Sequence, residues 1–269
     1  MLEFYDNNMS VCAQKVRLAL VEKQIAFNRH SLNLRAGDQF DPQYLKLNPK
    51  AVVPTIVDDG HAITESSIII EYLDDAYPDP SLRPASPLLR SEVRRWVVLP
   101  DISLHIACGR TSFALAFRKQ FDHLDAAGLA RHIASIPDPD NSRRERIRNL
   151  IQLGLEAPGL ADAVASYARS VRAMAEPLRR SEWLVGDDYS LADITMLPYV
   201  LRMEHLKLDW VWADSPSITR WLGACKARAN YAAISDYLDA SYLELMGNTP
   251  AADHEWIRTT IEQDQSRSV

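Results

Sequence analysis

The chain has 269 residues, of which 47% are hydrophobic and 25% charged, a composition typical of folded globular proteins and not of disordered or collagen-like ones. Its 30 basic and 36 acidic side chains give a formal charge of -6, which argues against a nucleic-acid partner. The sequence contains no apolar run near the ~18 residues of a membrane span, and its first residues lack the basic start of a secretory signal. We therefore expect a cytoplasmic protein with no membrane partner.

The three cysteines also limit the class of protein. Cys12, Cys108 and Cys225 are far apart, odd in number and in no metal-ligand spacing, so we expect neither a disulfide scaffold nor a metal site. Any cysteine with a function here should act as a reduced thiol.

The first eighty residues alternate between strand-like and helix-like patterns at short intervals. Parallel strands need a crossover helix, whereas the turn at Asp58-Asp59-Gly60 predicts an antiparallel hairpin. The region therefore predicts a mixed four-stranded sheet with helices packed on it. The predicted strands are 2–5, 26–32, 54–57 and 62–63, and the predicted helices are 11–23, 38–47 and 65–77.

Residues 78–87 contain four prolines and predict a linker. Beyond it helical periodicity dominates, with a helix break expected at 137–141, so the fold class is α+β. We predict a first domain at 1–79, a linker at 80–87, an all-α domain at 88–248 and a polar C-terminal tail at 249–269. The predicted helices of the second domain are 88–117, 124–136, 142–155, 160–180, 191–206 and 217–227.

The loop between the first strand and the first helix is the first candidate for chemistry. Ser10 precedes the helix and Cys12 lies in its first turn. Unpaired N–H groups and the positive dipole end of a helix favour an anion such as a thiolate, to which Ser10 is placed to donate. The alternatives are that Ser10 only caps the helix and that Cys12 is only a small core residue.

Two further segments have the chemistry of a peptide-binding site. A cis bond before Pro54 would leave the Val53 backbone open to a peptide ligand, whereas a trans proline would only mark an edge strand. Glu65 and Ser66 begin a helix, where they either cap it or hold the carboxylate and ammonium groups of a ligand. In the second domain, Ser190 and Asp193 have the spacing of a capping box, which gives Asp193 a role in folding.

In their order and spacing these segments resemble the cytosolic glutathione transferase superfamily. Four stretches carry the resemblance: 10–17 (SVCAQKVR), 47–54 (LNPKAVVP), 64–66 (TES) and 186–194 (GDDYSLADI). The resemblance implies a thioredoxin-like N-terminal domain, an all-α C-terminal domain, glutathione as the cofactor without a metal, and a homodimer. It implies an enzyme that activates the glutathione thiolate for attack on a small electrophilic substrate, aromatic or unsaturated.

The resemblance also implies roles for individual residues. Ser10 would hydrogen-bond the glutathione sulfur, and the backbone of Val53 would pair with the cysteinyl amide. Glu65 and Ser66 would bind the γ-glutamyl end, and Gln39 the glycyl end.

Within the superfamily, Ser10-Val11-Cys12 is similar to the zeta class, which includes maleylacetoacetate isomerases, and most similar to tetrachlorohydroquinone reductive dehalogenases. Cys12 would then complete a reductive dehalogenation as a second catalytic residue. Val11 stands where the isomerases have a second serine, which weighs against isomerisation. The alternatives are a maleylacetoacetate-type cis-trans isomerase, a β-aryl-etherase-like transferase, a thiol transferase that uses Cys12, and a non-catalytic binding or regulatory protein of the same fold.

Overall fold

The structure is a computed structural model that describes residues 1–137 and 141–267. Its strands are β1 (Leu2–Asp6), β2 (Phe27–Ser31), β3 (Thr55–Asp58) and β4 (His61–Thr64). Its helices are α1 (Val11–Glu22), α2 (Pro42–Leu47), α3 (Ser66–Ala76), α4 (Pro87–Leu99), α5 (His105–Leu115), α6 (Ala126–Ser135), α7 (Ser142–Leu153), α8 (Leu160–Arg172), α9 (Ala175–Arg180), α10 (Leu191–His205), α11 (Pro216–Ala227), α12 (Ala232–Ser235), α13 (Ala240–Gly247) and α14 (Ala251–Arg267).

The four strands form one sheet in the order β2-β1-β3-β4. β1 pairs parallel to β2, while β3 pairs antiparallel to both β1 and β4. Phe4 and Ile56, in the two central strands, have no exposed surface, and α1 and α3 pack against each other. The sheet therefore confirms the predicted mixed topology, and the helical region that follows confirms the predicted α+β class.

Two of the helices predicted from periodicity in the helical region are interrupted in the structure. The predicted helix 88–117 is interrupted by a π-turn, Pro100–Leu104, because Pro100 has no N–H to donate to the preceding turn. The predicted helix 160–180 is two helices, α8 and α9, and Pro177 lies in the first turn of the second. The predicted break at 137–141 lies partly outside the described residues, between the end of α6 and the start of α7.

The end of the chain is more ordered than its polar composition suggests. α13 has no counterpart among the predicted helices, and most of the predicted tail is the 17-residue helix α14. Ile257 and Ile261 of α14 are buried, and Asp264 pairs with Arg169 of α8.

The described chain divides into two compact units that do not follow chain order. The first contains residues 1–99, 174–201 and 215–239, and the second contains 100–173, 202–214 and 240–269. The domain boundaries expected at 79, 87 and 248 stay predictions. Of the helices described, none is both long enough and apolar enough to cross a membrane.

Within the first unit, the predicted linker is tied to the helices before it. The carboxylate of Asp74 in α3 accepts hydrogen bonds from Lys23 Nζ at 2.6 Å and from the backbone N–H of Leu82 at 2.8 Å. Arg83 Nε donates to the same carboxylate at 2.6 Å. Because Asp74 and Lys23 are both buried, these bonds fix the path of the linker.

The capping box at the start of α10 is a larger network than the spacing predicts. Asp193 is fully buried and accepts from the backbone and hydroxyl of Ser190 at 3.0 and 3.1 Å, from Leu184 N–H at 3.0 Å and from Trp221 Nε1 at 2.8 Å. Ser190 Oγ accepts from the N–H of Ala192, whereas the serine of a capping box accepts from the N–H three positions on. Burial raises the pKa of Asp193, and these hydrogen bonds oppose the rise.

We expect Asp193→Ala to lower the free energy of unfolding by about 3 kcal/mol or more, because it leaves the buried donors of Trp221 and Leu184 without an acceptor. Urea unfolding followed by circular dichroism measures the loss. Asp187→Ala, at an exposed position in the same segment, serves as the control and should change stability by less than about 0.5 kcal/mol. Equal stability of the two variants would contradict the folding role of Asp193.

Candidate functional site

The sheet register brings the predicted site segments to one edge. Asp6 at the end of β1 pairs with Ser31 at the end of β2. Thr55 at the start of β3 lies opposite Tyr5 and opposite Thr64 at the end of β4. The loops that leave this edge carry the residues predicted to bind glutathione or to act on it. These residues are Ser10 and Cys12 after β1, Gln39 after β2, Val53 before β3, and Glu65 and Ser66 after β4.

Ser10 is the N-cap of α1, and its Oγ accepts a hydrogen bond from the Ala13 N–H at 3.3 Å. Accepting this bond leaves the hydroxyl proton available for donation. The first turn of α1 contains no acidic residue, so its dipole keeps its positive potential next to that proton. The cap and the donor roles of Ser10 are therefore compatible.

Cys12 is half-buried in the first turn of α1. Its Sγ lies 3.8 Å from the hydroxyl of Tyr199, a fully buried side chain of α10 that belongs to the same compact unit. No sequence pattern pointed to Tyr199, because the two residues are 187 positions apart. The structure thus places the Cys12 thiol beside a phenolic hydroxyl.

The bend before β3 is held by side chains of the α2 region. The Val53–Pro54 peptide bond is cis, which is the alternative that leaves the Val53 backbone open to a peptide. Tyr44 Oη and Asn48 Nδ2 both donate to the carbonyl of Val52, at 2.6 and 2.9 Å. Both side chains also lie within hydrogen-bonding distance of Thr55 Oγ1, so the backbone around Val53 is held on both sides.

Gln39 carries a buried acceptor atom that lacks a donor. The residue is 9% exposed, and its Nε2 donates to the Leu34 carbonyl at 3.4 Å. Among the described residues, no donor reaches its Oε1. Since a buried unpaired acceptor is unfavourable, the atom fits a ligand that supplies an N–H, such as a peptide amide. Glutathione, a tripeptide, meets this requirement.

Glu65 lies at the N-cap of α3 with a positive φ of 67°, and Ser66, the first residue of the helix, is buried. Glu65 Oε1 pairs with Lys50 Nζ at 2.6 Å, and both side chains are well exposed. An exposed pair of this kind contributes little stability, so a ligand ammonium is able to replace Lys50. Sequence reasoning did not include Lys50, although the loop before β3 places it beside the end of the hairpin.

A cavity of about 570 Å³ lies next to these loops in the first unit. Tyr5, Leu32, Asp38, Phe40 and Tyr44 are among its lining residues, whereas Ser10, Cys12 and Gln39 are not. The cavity therefore adjoins the predicted glutathione contacts, since its lining residues Asp38 and Phe40 flank Gln39.

Two family models match the chain. Residues 9–76 match the N-terminal domain of glutathione S-transferase, and residues 156–229 match its C-terminal domain. The first match includes all of the predicted site residues.

The chain is similar to protein LigF of Sphingobium, with 29% identity over 235 residues, 84% of this chain and 90% of that protein. The crystal structure of β-etherase LigF superposes with a TM-score of 0.77 and 26% identity, covering 88% of this chain and 98% of that one. Glutathione S-transferase TCHQD of Arabidopsis thaliana is 24% identical over 86% of this chain and 88% of its own length.

Maleylacetoacetate isomerase of Dictyostelium discoideum is 26% identical over 78% of this chain and 82% of its own length. A zeta-class relative, glutathione S-transferase Z1 of Arabidopsis thaliana, is 43% identical over a shorter stretch, 31% of this chain and 38% of that protein. These matches agree with the sheet topology and with the helical region that follows it. The chain belongs to the glutathione S-transferase superfamily as a zeta-like member, and it is an enzyme that uses glutathione.

Proposed function

We propose that Ser10 is the residue that activates glutathione in this enzyme. The observation that supports this proposal is the hydrogen bond that Ser10 Oγ accepts from the Ala13 N–H at the positive end of α1. This bond leaves the hydroxyl proton of Ser10 available to a thiolate. Glutathione supplies the nucleophilic sulfur. A thiol of pKa ~8.5 is mostly protonated at pH 7, and lowering that pKa by ~2 units takes ~2.7 kcal/mol of thiolate stabilisation. A charge-assisted hydrogen bond and a helix N-terminus together supply energy of this order.

The other predicted residues bind the tripeptide in this proposal. Gln39 Oε1 accepts from the amide at the glycyl end, and the backbone of Val53 pairs with the cysteinyl amide. Glu65 exchanges Lys50 for the γ-glutamyl ammonium, while Ser66 and the N-terminus of α3 hold the γ-glutamyl carboxylate. Each role uses a group whose position at the sheet edge is described above.

As the substrate we propose an aromatic ether of the kind that a β-etherase cleaves. The support is the similarity to β-etherase LigF, which extends over most of both chains. The sulfur attacks the carbon that carries the aryloxy group, a C–S bond forms, the C–O bond breaks, and the aryloxide leaves and takes up a proton. Ser10 stabilises the attacking thiolate.

A second candidate reaction is reductive dehalogenation of a halogenated hydroquinone. The half-buried Cys12 thiol, two residues from Ser10, favours it. After the sulfur of a first glutathione has displaced halide, Cys12 attacks that sulfur, and the ring carbon takes up a proton as the C–S bond breaks. A second glutathione then reduces the mixed disulfide, which releases oxidised glutathione and the Cys12 thiol.

One experiment separates these reactions. The wild type is assayed with glutathione and, in turn, an α-aryloxy ketone with a fluorescent phenol as leaving group, a chlorinated hydroquinone and maleylacetone. We expect release of the phenol with equimolar thioether. Ser10→Ala should lower kcat about 100-fold while the Kd for glutathione changes less than about threefold, because the hydroxyl bond is made to the thiolate.

Cys12→Ser should leave ether cleavage within about twofold of wild type, since that reaction needs no second thiol. Chloride release that stops at the glutathionyl-hydroquinone thioether in Cys12→Ser, while the wild type goes on to the dehalogenated hydroquinone, would instead select dehalogenation. Isomerisation of maleylacetone without phenol release would select the isomerase activity. Unchanged turnover in Ser10→Ala would contradict the proposed activation.

Gln39→Leu should move affinity and stability in opposite directions. The substitution removes an acceptor that is buried and has no donor among the described residues, so the Tm should stay equal or rise. It also removes the partner of the ligand amide, so the Kd for glutathione should rise about fivefold to tenfold. Calorimetric titration and thermal unfolding measure the two effects.

Gln43→Leu is the matched control, because Gln43 is exposed in α2 and its Oε1 bonds only to Lys46 among the described residues. It should leave the Kd unchanged. A Kd for Gln39→Leu equal to that of the control would remove Gln39 from the glutathione contacts.

We also propose a cytoplasmic homodimer. All three cysteines are free thiols, the state that a reducing compartment maintains.

The proposed subunit interface lies in the first unit, where α3 and the end of α4 are joined by the Ser67 hydroxyl, which donates to the Val97 carbonyl at 3.0 Å. Apolar side chains are exposed on these two helices: Ile68, Leu88, Leu89 and Val98 are 58%, 71%, 39% and 44% exposed. An exposed apolar surface of this kind is typical of a subunit interface.

Light scattering of the purified protein should give twice the monomer mass. The double variant Ile68→Glu/Val98→Glu should give a folded monomer, because each substitution places a charge where the partner would exclude water. A monomeric wild type at micromolar concentration would contradict the homodimer.

A further inference from the structure

A buried charged cluster lies directly behind the loop that carries Ser10. Asp6, the last residue of β1, is fully buried. Arg17 Nε of α1 donates to its Oδ2, and Arg29 Nε of β2 donates to its Oδ1, both at 2.9 Å. Arg17 is only 1% exposed. Two guanidinium groups against one carboxylate leave the cluster with one net positive charge.

The cluster is bonded to the backbone that positions Ser10. Arg17 Nη2 donates to the Asn7 carbonyl at 3.3 Å, and the Ser10 N–H donates to the same carbonyl at 3.3 Å. Arg29 Nη2 donates to the side-chain carbonyl of Asn8. A single carbonyl group therefore separates the Arg17 guanidinium from the backbone of Ser10.

Residues 232–239, which we call the strap, cover this cluster within the same compact unit. The Ala233 carbonyl accepts from Arg17 Nη1 at 3.1 Å. The ring of Tyr237 lies 4.6 Å from the guanidinium carbon of Arg17 and 4.4 Å from that of Arg29. The N–H of Asp239 points to the sulfur of Met9 at 3.4 Å. The strap thus contacts both arginines and the loop itself.

Burial lowers the pKa of Arg17, and the Asp6 carboxylate opposes that effect. A guanidinium held away from water gains attraction from an aromatic face, so the Tyr237 ring replaces part of the hydration that Arg17 has lost. The ionisable groups of the cluster are Asp6, Arg17, Arg29 and Tyr237, and both arginines contact the same ring. Their geometry therefore depends on a side chain more than 200 positions further along the chain.

We propose that Tyr237 is a positioning residue for the reaction. Its ring holds Arg17 and Arg29 on Asp6, Arg17 holds the Asn7 carbonyl, and this carbonyl fixes Ser10. The inference rests on the proposed role of Ser10. Small displacements of a reacting group reduce rates strongly, so loosening the cluster should impair thiolate formation more than it impairs glutathione binding.

The test compares Tyr237→Leu, which removes the ring, with Tyr237→Phe, which keeps it. Thiolate absorbance of bound glutathione near 240 nm is followed against pH, alongside kcat with a generic chloronitrobenzene electrophile and the Kd for glutathione. In Tyr237→Leu we expect the thiolate midpoint to move to higher pH by about half a unit to one unit, kcat at pH 7 to fall about fivefold to tenfold, and the Kd to change less than about threefold. Tyr237→Phe should stay within about twofold of wild type.

Trp210→Leu is the matched control, since it removes a ring that lies 4.3 Å from the Arg258 guanidinium and both residues belong to the second compact unit. It should leave the thiolate midpoint unchanged. If Tyr237→Leu fails to fold, Arg29→Met takes its place. The Arg29 side chain is 21% exposed, and losing its bonds to Asp6 and Asn8 should move the midpoint in the same direction.

Two results overturn the inference in distinguishable ways. The first is an impaired Ser10→Ala together with a Tyr237→Leu or Arg29→Met variant whose thiolate midpoint and kcat equal those of wild type. This result would reject the positioning role alone. Full activity of Ser10→Ala would reject the activation by Ser10 and the positioning role with it.

Discussion

The functional arrangement of this protein depends on where one helix begins. β1 and β2 are parallel, so the chain must return between them, and α1 must start at the edge of the sheet where β1 ends. The free N–H groups of α1 therefore lie at that edge, with Ser10 as its cap. β3 starts and β4 ends at the same edge, and this brings Val53 and Glu65 to the positive end of the helix without any long insertion.

Short-range patterns were sufficient to predict the strands and the helices α1 and α3, whereas the grouping of their loops into one site was implied by the family resemblance. The four strands and helices α1 and α3 lie within two residues of their predicted bounds, because apolar periodicity and the hairpin turn specify each of them locally. Periodicity was less informative in the helical region, where it continues through Pro100 and past Arg172 although the backbone does not. Propensity also failed for α14, which is polar in sequence but becomes helical by packing Ile257 and Ile261.

The unpredicted contacts of Cys12 and Arg17 depend on distant parts of the chain. Tyr199 lies 187 positions from Cys12, and Ala233 lies 216 positions from Arg17. No spacing rule connects such residues, because their proximity results from the packing of the complete unit. The Lys50–Glu65 pair is an intermediate case. Its residues are 15 positions apart, and their proximity follows from the hairpin once the strand register is known. The edge of the site could therefore be predicted from sequence, and its support could not.

Hydrogen-bond partners distinguish Asp193, a folding residue, from Gln39, a proposed ligand-binding residue, better than burial does. Both are buried, yet Asp193 accepts from Ser190, Leu184 and Trp221, whereas the Oε1 of Gln39 has no donor among the described residues. A network that is complete within the chain has nothing to gain from a ligand. A buried acceptor left unpaired reduces the stability of the free protein and gains a partner only when a ligand N–H arrives. Such an acceptor therefore favours ligands that carry an N–H over ligands that lack one. The same reasoning supports the proposed role of Ser10, whose hydroxyl oxygen accepts from the Ala13 N–H within the fold while its proton remains available to the thiolate.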